Sequence, residues 1–312
     1  MKAEDIKRIL VIGAGTMGQQ IATQFALYDC DVVVYDIKEE FLEKARTGIT
    51  KMACGVASYQ EIAQEKALAI MDRITFTTVP EEAARDIDLV SESVPEDPEL
   101  KGKIFSTFNN LCPHDTIFTT NTSTLLPSMF AEATGRPDRF LALHFHDVRI
   151  STIVDIMPHP GTSPETVELV EAFADRTGLN VILMQKENYG YVFNYVLMAF
   201  FQQAQTLASK GIATPQDVDR AWMGVTMSPM GPFAMMDSVG IDTVWKITDL
   251  WAKWTNNRGS QKNADYLKQY VDRGELGQKT HKGFYTYPHP AFAQPGFAAK
   301  HKKGKKSNLS IE

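Results

Sequence analysis

Cysteine is scarce in this chain: three in 312 residues, at Cys30, Cys54 and Cys112. They lie far apart, with neither the spacing of a metal site nor the density of a disulfide scaffold, so a reducing, cytoplasmic setting is expected. Long apolar runs are missing too. No stretch approaches the roughly 20 residues that cross a bilayer, and the opening MKAEDIKRILVIG runs charged residues straight into an apolar segment with no signal-peptide core. A membrane partner is therefore not expected. Neither sign of charge dominates: 32 basic against 38 acidic residues leave a net −6, which argues against nucleic acid as the main partner. The remainder, 44% hydrophobic and 22% charged, is the composition of an ordinary globular chain long enough for two domains.

The first part alternates short apolar runs with helical patterns. Strands are predicted at 8–13, 31–36, 74–78, 89–93, 116–121, 140–145, 152–157 and 180–185. Several are apolar on both faces, as parallel strands covered by helices on each side must be. The fold class is α/β, a doubly wound parallel sheet followed by an all-α C-terminal domain. The charged stretch from Glu39 to Asp72 reads as an inserted helical pair. After Gln185 the strand signal fades. Residues 190–211 form a helix whose first half is apolar nearly all round, so it is expected to be buried on every side. Helices follow at 215–223, 231–255 and 260–273. The domains are placed at 1–187 and 188–295, with a basic polar tail at 296–312 that reads as solvated.

In RILVIGAGTMGQQIATQF, Gly13, Gly15 and Gly18 follow an apolar strand and open a helical pattern. This is the context in which G-x-G-x-x-G binds a dinucleotide: a tight turn, a close approach to the pyrophosphate, and close helix–strand packing. Thr16, Met17 and Gly18 begin the helix, and its first N–H groups are expected to face the diphosphate. Asp36 closes the second strand about 20 residues on, where a carboxylate accepts the ribose hydroxyls and repels a 2′-phosphate. NAD is the expected cofactor, with a small-molecule substrate and no metal.

Further stretches recur together: SESVPEDPELKGKIF (91–105), NTSTL (121–125), LHFHDV (143–148), GYVFN (190–194), PMGPFAMMDSVGIDT (229–243) and GQKTHKGFYTY (277–287). With these in order, the chain resembles the L-3-hydroxyacyl-CoA dehydrogenase family, whose bacterial short form is 3-hydroxybutyryl-CoA dehydrogenase. The resemblance implies a Rossmann-type NAD-binding domain, a helical domain that forms a homodimer, and an acyl-CoA substrate held between them. It assigns the catalytic histidine to His144 and the acid that holds it to Asp155. Ser123 and Asn194 become substrate-binding and catalytic residues. Glu96, Lys101, Ser123, Asp147 and Lys279 join the cofactor contacts. These residue types suit the chemistry. Imidazole can take a hydroxyl proton near neutral pH while hydride leaves, a carboxylate on the other ring nitrogen fixes the tautomer, and neutral donors hold an oxygen where charge develops.

His146 is the competing base, but the family has an apolar residue there, so His144 is favoured and His146 is a neighbour that tunes it. Other departures bear on substrate. Asp155 stands for a glutamate one methylene longer and is expected to need a backbone shift or a water to reach His144. Arg149 adds a cation that either binds an acidic substrate or pairs with Asp147. Tyr195 and His281 stand where arginine and glycine are usual. The family's CoA contacts have no clear counterparts in the 41–67 insertion. A free 3-hydroxy acid and a catalytically silent NAD-binding protein remain the rival readings.

Overall fold

The computed structural model describes residues 1–255 and 258–298. It falls into two compact units, Met1–Tyr195 and a second beginning at Val196; the boundary expected after residue 187 lies earlier in the chain. Most of the predicted tail, 299–312, is outside the described residues. Among the described residues no helix is long and apolar enough to cross a membrane.

The first unit carries the strands β1 (Arg8–Ile12), β2 (Asp31–Tyr35), β3 (Ile74–Thr77), β4 (Leu89–Glu92), β5 (Ile117–Thr120), β6 (Phe140–Phe145), β7 (Ile153–Pro158) and β8 (Asn180–Leu183). Its helices are α1 (Thr16–Leu27), α2 (Glu39–Tyr59), α3 (Gln64–Leu68), α4 (Pro80–Ala83), α5 (Pro98–Asn109) and α6 (Pro164–Arg176). The sheet runs β3-β2-β1-β4-β5-β6-β7-β8. Alternate residues of one strand serve opposite faces, and both faces are apolar. Ile9 and Val11 of β1 pack with Phe25, Leu42 and Phe173 from α1, α2 and α6. Leu10 and Ile12 pack with Phe105 and Phe108 from α5 on the other side. Strand order reverses at β1, which has β2 on one side and β4 on the other, so a crevice opens beyond the carboxyl ends of β1 and β4.

The sheet departs from the expected all-parallel arrangement at one pair. β6 and β7 are antiparallel. The connection 146–152 is too short for the crossover of a dozen or more residues that a parallel pair needs, so the chain must turn straight back.

At the end of the first unit the chain enters α7 (Phe193–Ser209), and α8 (Pro215–Thr226), α9 (Pro232–Val239), α10 (Ile241–Thr255) and α11 (Arg258–Asp272) follow. Gly240 at φ +99 divides the predicted 231–255 helix into α9 and α10. The second core gathers Phe201, Phe233, Ile241, Val244, Leu267 and Phe284. Contrary to expectation, α7 is covered on one face only: Phe201, Ala204 and Gln205 are buried, whereas Val196 is 63% exposed. Two buried aspartates tie this unit together. Asp219 accepts the Phe233 and Ala234 amides at the start of α9 and the Tyr285 hydroxyl. Asp237 accepts the Phe284 and Tyr285 amides and the Tyr287 hydroxyl.

Candidate active site

The glycine loop sits in the switch-point crevice. Gly13 has φ +104, a conformation open to glycine, and a Cβ there would meet the Ser93 carbonyl at 2.7 Å. A Cβ on Gly18 would fall 1.8 Å from the Gly13 carbonyl oxygen, so α1 can lie against the turn only without one. Gly15 is different: its Cβ would meet no protein atom within 4 Å. The space it leaves is cavity. Gly15 is also the N-cap of α1, and no side chain caps that end, so the first-turn N–H groups at Thr16, Met17 and Gly18 are left for an anionic ligand. A cavity of about 920 Å³ opens over this loop. Asp36 lies just past β2, one residue beyond the predicted strand's true end, and lines the same cavity. Its carboxylate accepts the Ala14 and Ile37 amides at 2.8 and 2.7 Å, which holds it in place and leaves lone pairs for hydroxyl donors. A diphosphate at an uncapped helix start and a diol at a fixed carboxylate are what this wall suits. The residues fit NAD.

The wall continues through a buried charge cluster. Lys101, 1% exposed, donates to Glu92 Oε1 at 2.7 Å and to the Val94 carbonyl at 3.2 Å. Glu92 also accepts the Thr120 hydroxyl and the Val94 amide. Burial pushes the Glu92 carboxyl up, and Lys101 only partly opposes it. Glu96 lies 3.4 Å from the same ammonium. It accepts the Thr122 hydroxyl and the Ser123 amide at 2.8 Å, with the Ser123 hydroxyl at 3.3 Å. Glu96, Lys101 and Ser123 all line the cavity. Lys101, however, is already engaged by carboxylates, so it shapes the wall and is not a free cation for the cofactor.

His144 lines the cavity as well. In the antiparallel β6–β7 ladder it lies directly opposite Asp155, and cross-strand partners of this kind place side chains on one face in contact. His144 Nδ1 is 2.9 Å from Asp155 Oδ2, with both side chains buried. The expected need for a backbone shift or a water is thereby corrected: the shorter acid reaches directly because the register puts it opposite. Burial lowers the His144 pKa and the hydrogen bond from Asp155 opposes this, leaving it below 6.5. For Asp155 burial pushes upward, but the hydrogen bond of His144 and the nearby His146 ring outweigh it and the pKa ends lowered. An ionised Asp155 beside a neutral His144 puts the ring proton on Nδ1 and leaves Nε2 as a free base.

His146 also approaches the acid, with Nε2 3.2 Å from the same Oδ2. It does not line the cavity. The polar atoms of His144, His146 and Asp155 lie within 4.8 Å of one another. Such a donor set resembles a metal site, but the Nδ1 of His144 already donates to the carboxylate, and proton relay is the simpler use of it. The Tyr191 ring covers His144 at 4.7 Å between centroids, and Phe193 meets His146 at 5.3 Å.

Two assigned residues of the first unit, Asp147 and Asn194, do not line this wall. Asp147 is held by Arg149, whose Nε lies 2.8 Å from Oδ1, and it does not line the cavity; of the two roles open for Arg149, the structure shows the pair. Asn194 lies in the first turn of α7 and is absent from the lining. Lys279 belongs to the second unit and pairs with Asp242 at 2.5 Å. In compensation the cavity adds residues that motif matching passed over. Asn121, the first residue of the N-T-S segment, accepts the Phe145 amide at 2.8 Å and joins the ends of β5 and β6. Tyr35, Ile37, Phe41 and Lys44 complete the wall near Asp36. Their signal was available in their position around that acid.

A glycine-turned crevice, an uncapped helix start, a diol-binding acid and a histidine–aspartate pair on one wall define an NAD-dependent oxidoreductase. Residues 8–188 match the 3-hydroxyacyl-CoA dehydrogenase NAD binding domain, and residues 190–287 match the C-terminal domain of the same family. The chain belongs to the 3-hydroxyacyl-CoA dehydrogenase family. It is 31% identical over 288 residues to the human mitochondrial hydroxyacyl-coenzyme A dehydrogenase, covering 90% of this chain and 91% of that protein. It is 31% identical to a probable 3-hydroxybutyryl-CoA dehydrogenase of Bacillus subtilis, covering 91% and 98%. A solved diketoreductase, described as catalysing reactions of dicarbonyl compounds, is 36% identical with a TM-score of 0.82 over 90% of this chain and 99% of that one. The mitochondrial relative shows that family membership does not imply the cytoplasmic setting expected from the cysteines.

Proposed function

We propose that this protein interconverts a short-chain L-3-hydroxyacyl-CoA and its 3-keto form, with His144 as the proton-transfer group. The observation that carries this reading is the direct His144–Asp155 contact on the wall of the dinucleotide cavity. NAD, held at the Gly13–Gly18 turn and by Asp36, would supply a hydride acceptor for the carbinol carbon. His144 Nε2 takes the hydroxyl proton, while Asp155 accepts from Nδ1 and stabilises the imidazolium so formed. In reduction the imidazolium returns the proton to the forming alkoxide. Ser123 lies on the same wall; its hydroxyl, turned from its long 3.3 Å bond to Glu96, donates to the substrate oxygen as charge develops.

A second reading, a free dicarbonyl or hydroxy acid as substrate, is favoured by the 36% identity to the diketoreductase. NADH oxidation measured with acetoacetyl-CoA and, in parallel, with free β-dicarbonyl compounds separates the two. Turnover with the thioester is expected; turnover confined to free compounds overturns the CoA assignment. The same protein is proposed to be a homodimer. Val196, Val225 and Met227, 63%, 85% and 86% exposed, are apolar residues that a second copy would cover. Sedimentation should give twice the mass of 34.9 kDa.

A further inference from the structure

Two departures from the family pattern meet at one atom. By the resemblance, Asp155 stands where the family has a glutamate and His146 where it has an apolar residue. Their side chains converge on Asp155 Oδ2, His144 Nδ1 at 2.9 Å and His146 Nε2 at 3.2 Å. Among the described residues, the polar partners of this carboxylate are these two imidazoles. The contact with His146 has the distance of a hydrogen bond but not its direction, and its Nε2 is a buried nitrogen with no hydrogen-bond partner. A modest rotation of the ring completes the bond. An aspartate held by one imidazole can swing about its short side chain; held between two, it cannot.

We infer that His146 is a positioning residue which locks the Asp155 carboxylate in place against His144. This rests on the proposed proton-transfer role of His144. The cost of losing the lock follows from geometry, since a misplaced catalytic group loses rate without losing substrate affinity. The groups that titrate or carry charge around the pair are Asp155 on β7, Glu96 before α5, and Tyr191 ahead of α7. Glu92 and Glu187 act on Tyr191 at longer range.

The test compares His146→Phe, His146→Gln, Asp155→Glu and the His146→Phe/Asp155→Glu pair in the full-length protein. NADH binding by fluorescence confirms folding in each. For His146→Phe, kcat is expected to fall about 10- to 100-fold with little change in KM. His146→Gln, which keeps a neutral N–H donor, should lose less. The decisive variant is the pair: the longer acid should restore most of the lost kcat when the phenylalanine is present. Unchanged kcat in His146→Phe overturns the inference. So does a loss that Asp155→Glu does not repair. His144→Ala is the control for the underlying reading: if it retains turnover, the proton-transfer assignment itself fails, whatever His146 does.

Discussion

At residue scale the site turns on how burial and partners set protonation. His144 is buried and its pKa lies below 6.5, with burial the larger cause and the Asp155 hydrogen bond opposing. Alcohol oxidation needs the unprotonated ring, so kcat/KM for oxidation should hold to lower pH than an ordinary imidazole would allow. Ketone reduction needs the protonated ring and should rise over that lower range. The sign for stability agrees: a depressed folded pKa costs nothing above 6.5 and destabilises as pH falls through and below it. His144→Ala should lower turnover by about 10²–10⁴-fold while NADH fluorescence titration shows binding preserved. The buried Lys101–Glu92 pair gives a stability test. Lys101→Met strands a carboxylate with no exposure, at a cost of roughly 3–5 kcal/mol in denaturant unfolding. Of these residues His144, Asp155 and Lys101 were legible from motif order. Glu92 was not, because nothing in the sequence says that a buried lysine on α5 is neutralised from β4.

At the scale of elements, the three glycines of one turn do different work, and substitution should separate them. Gly18→Ala drives a methyl group to 1.8 Å from the Gly13 carbonyl, so α1 must move and the melting temperature should fall. Gly15→Ala meets no protein atom and its φ of −69 suits alanine. That variant should melt like the parent but bind NADH more weakly, since the methyl group occupies ligand space. Equal losses of melting temperature in both would refute the distinction. The strands were readable because apolar runs covered on both faces have no other use in a doubly wound sheet. Pairing direction was not readable from the runs themselves. The antiparallel β6–β7 pair follows from a connection too short to cross over, a property of the loop.

For the whole molecule, a buried group in each of two units with separate cores responds to pH in the opposite sense to the other. Burial pushes Asp219 up to about 6, against the pull of its Phe233, Ala234 and Tyr285 hydrogen bonds. A raised folded pKa contributes stability that is fully present below the unfolded value and lost as pH rises through the folded one. The second unit should therefore gain stability from Asp219 between pH 7 and pH 5, while His144 works against the first unit below 6.5. Calorimetry at both pH values should resolve this, and Asp219→Asn should abolish the gain. The helical character of the second unit was plain from its periodicity. The tie from Asp219 to α9 and Tyr285 was not, because it joins residues distant in sequence.

Local chemistry was enough to specify the alternation of strands and helices, the glycine turn with its acid, and the family. Those features depend on period, backbone freedom and fixed spacing, all of which a chain carries residue by residue. Tertiary structure alone decided that a shortened acid still reaches its histidine, that a second imidazole meets the same oxygen, and that Arg149 is taken up by Asp147. Cross-strand register and side-chain pairing are set by which segments lie side by side, and only folding brings those segments together.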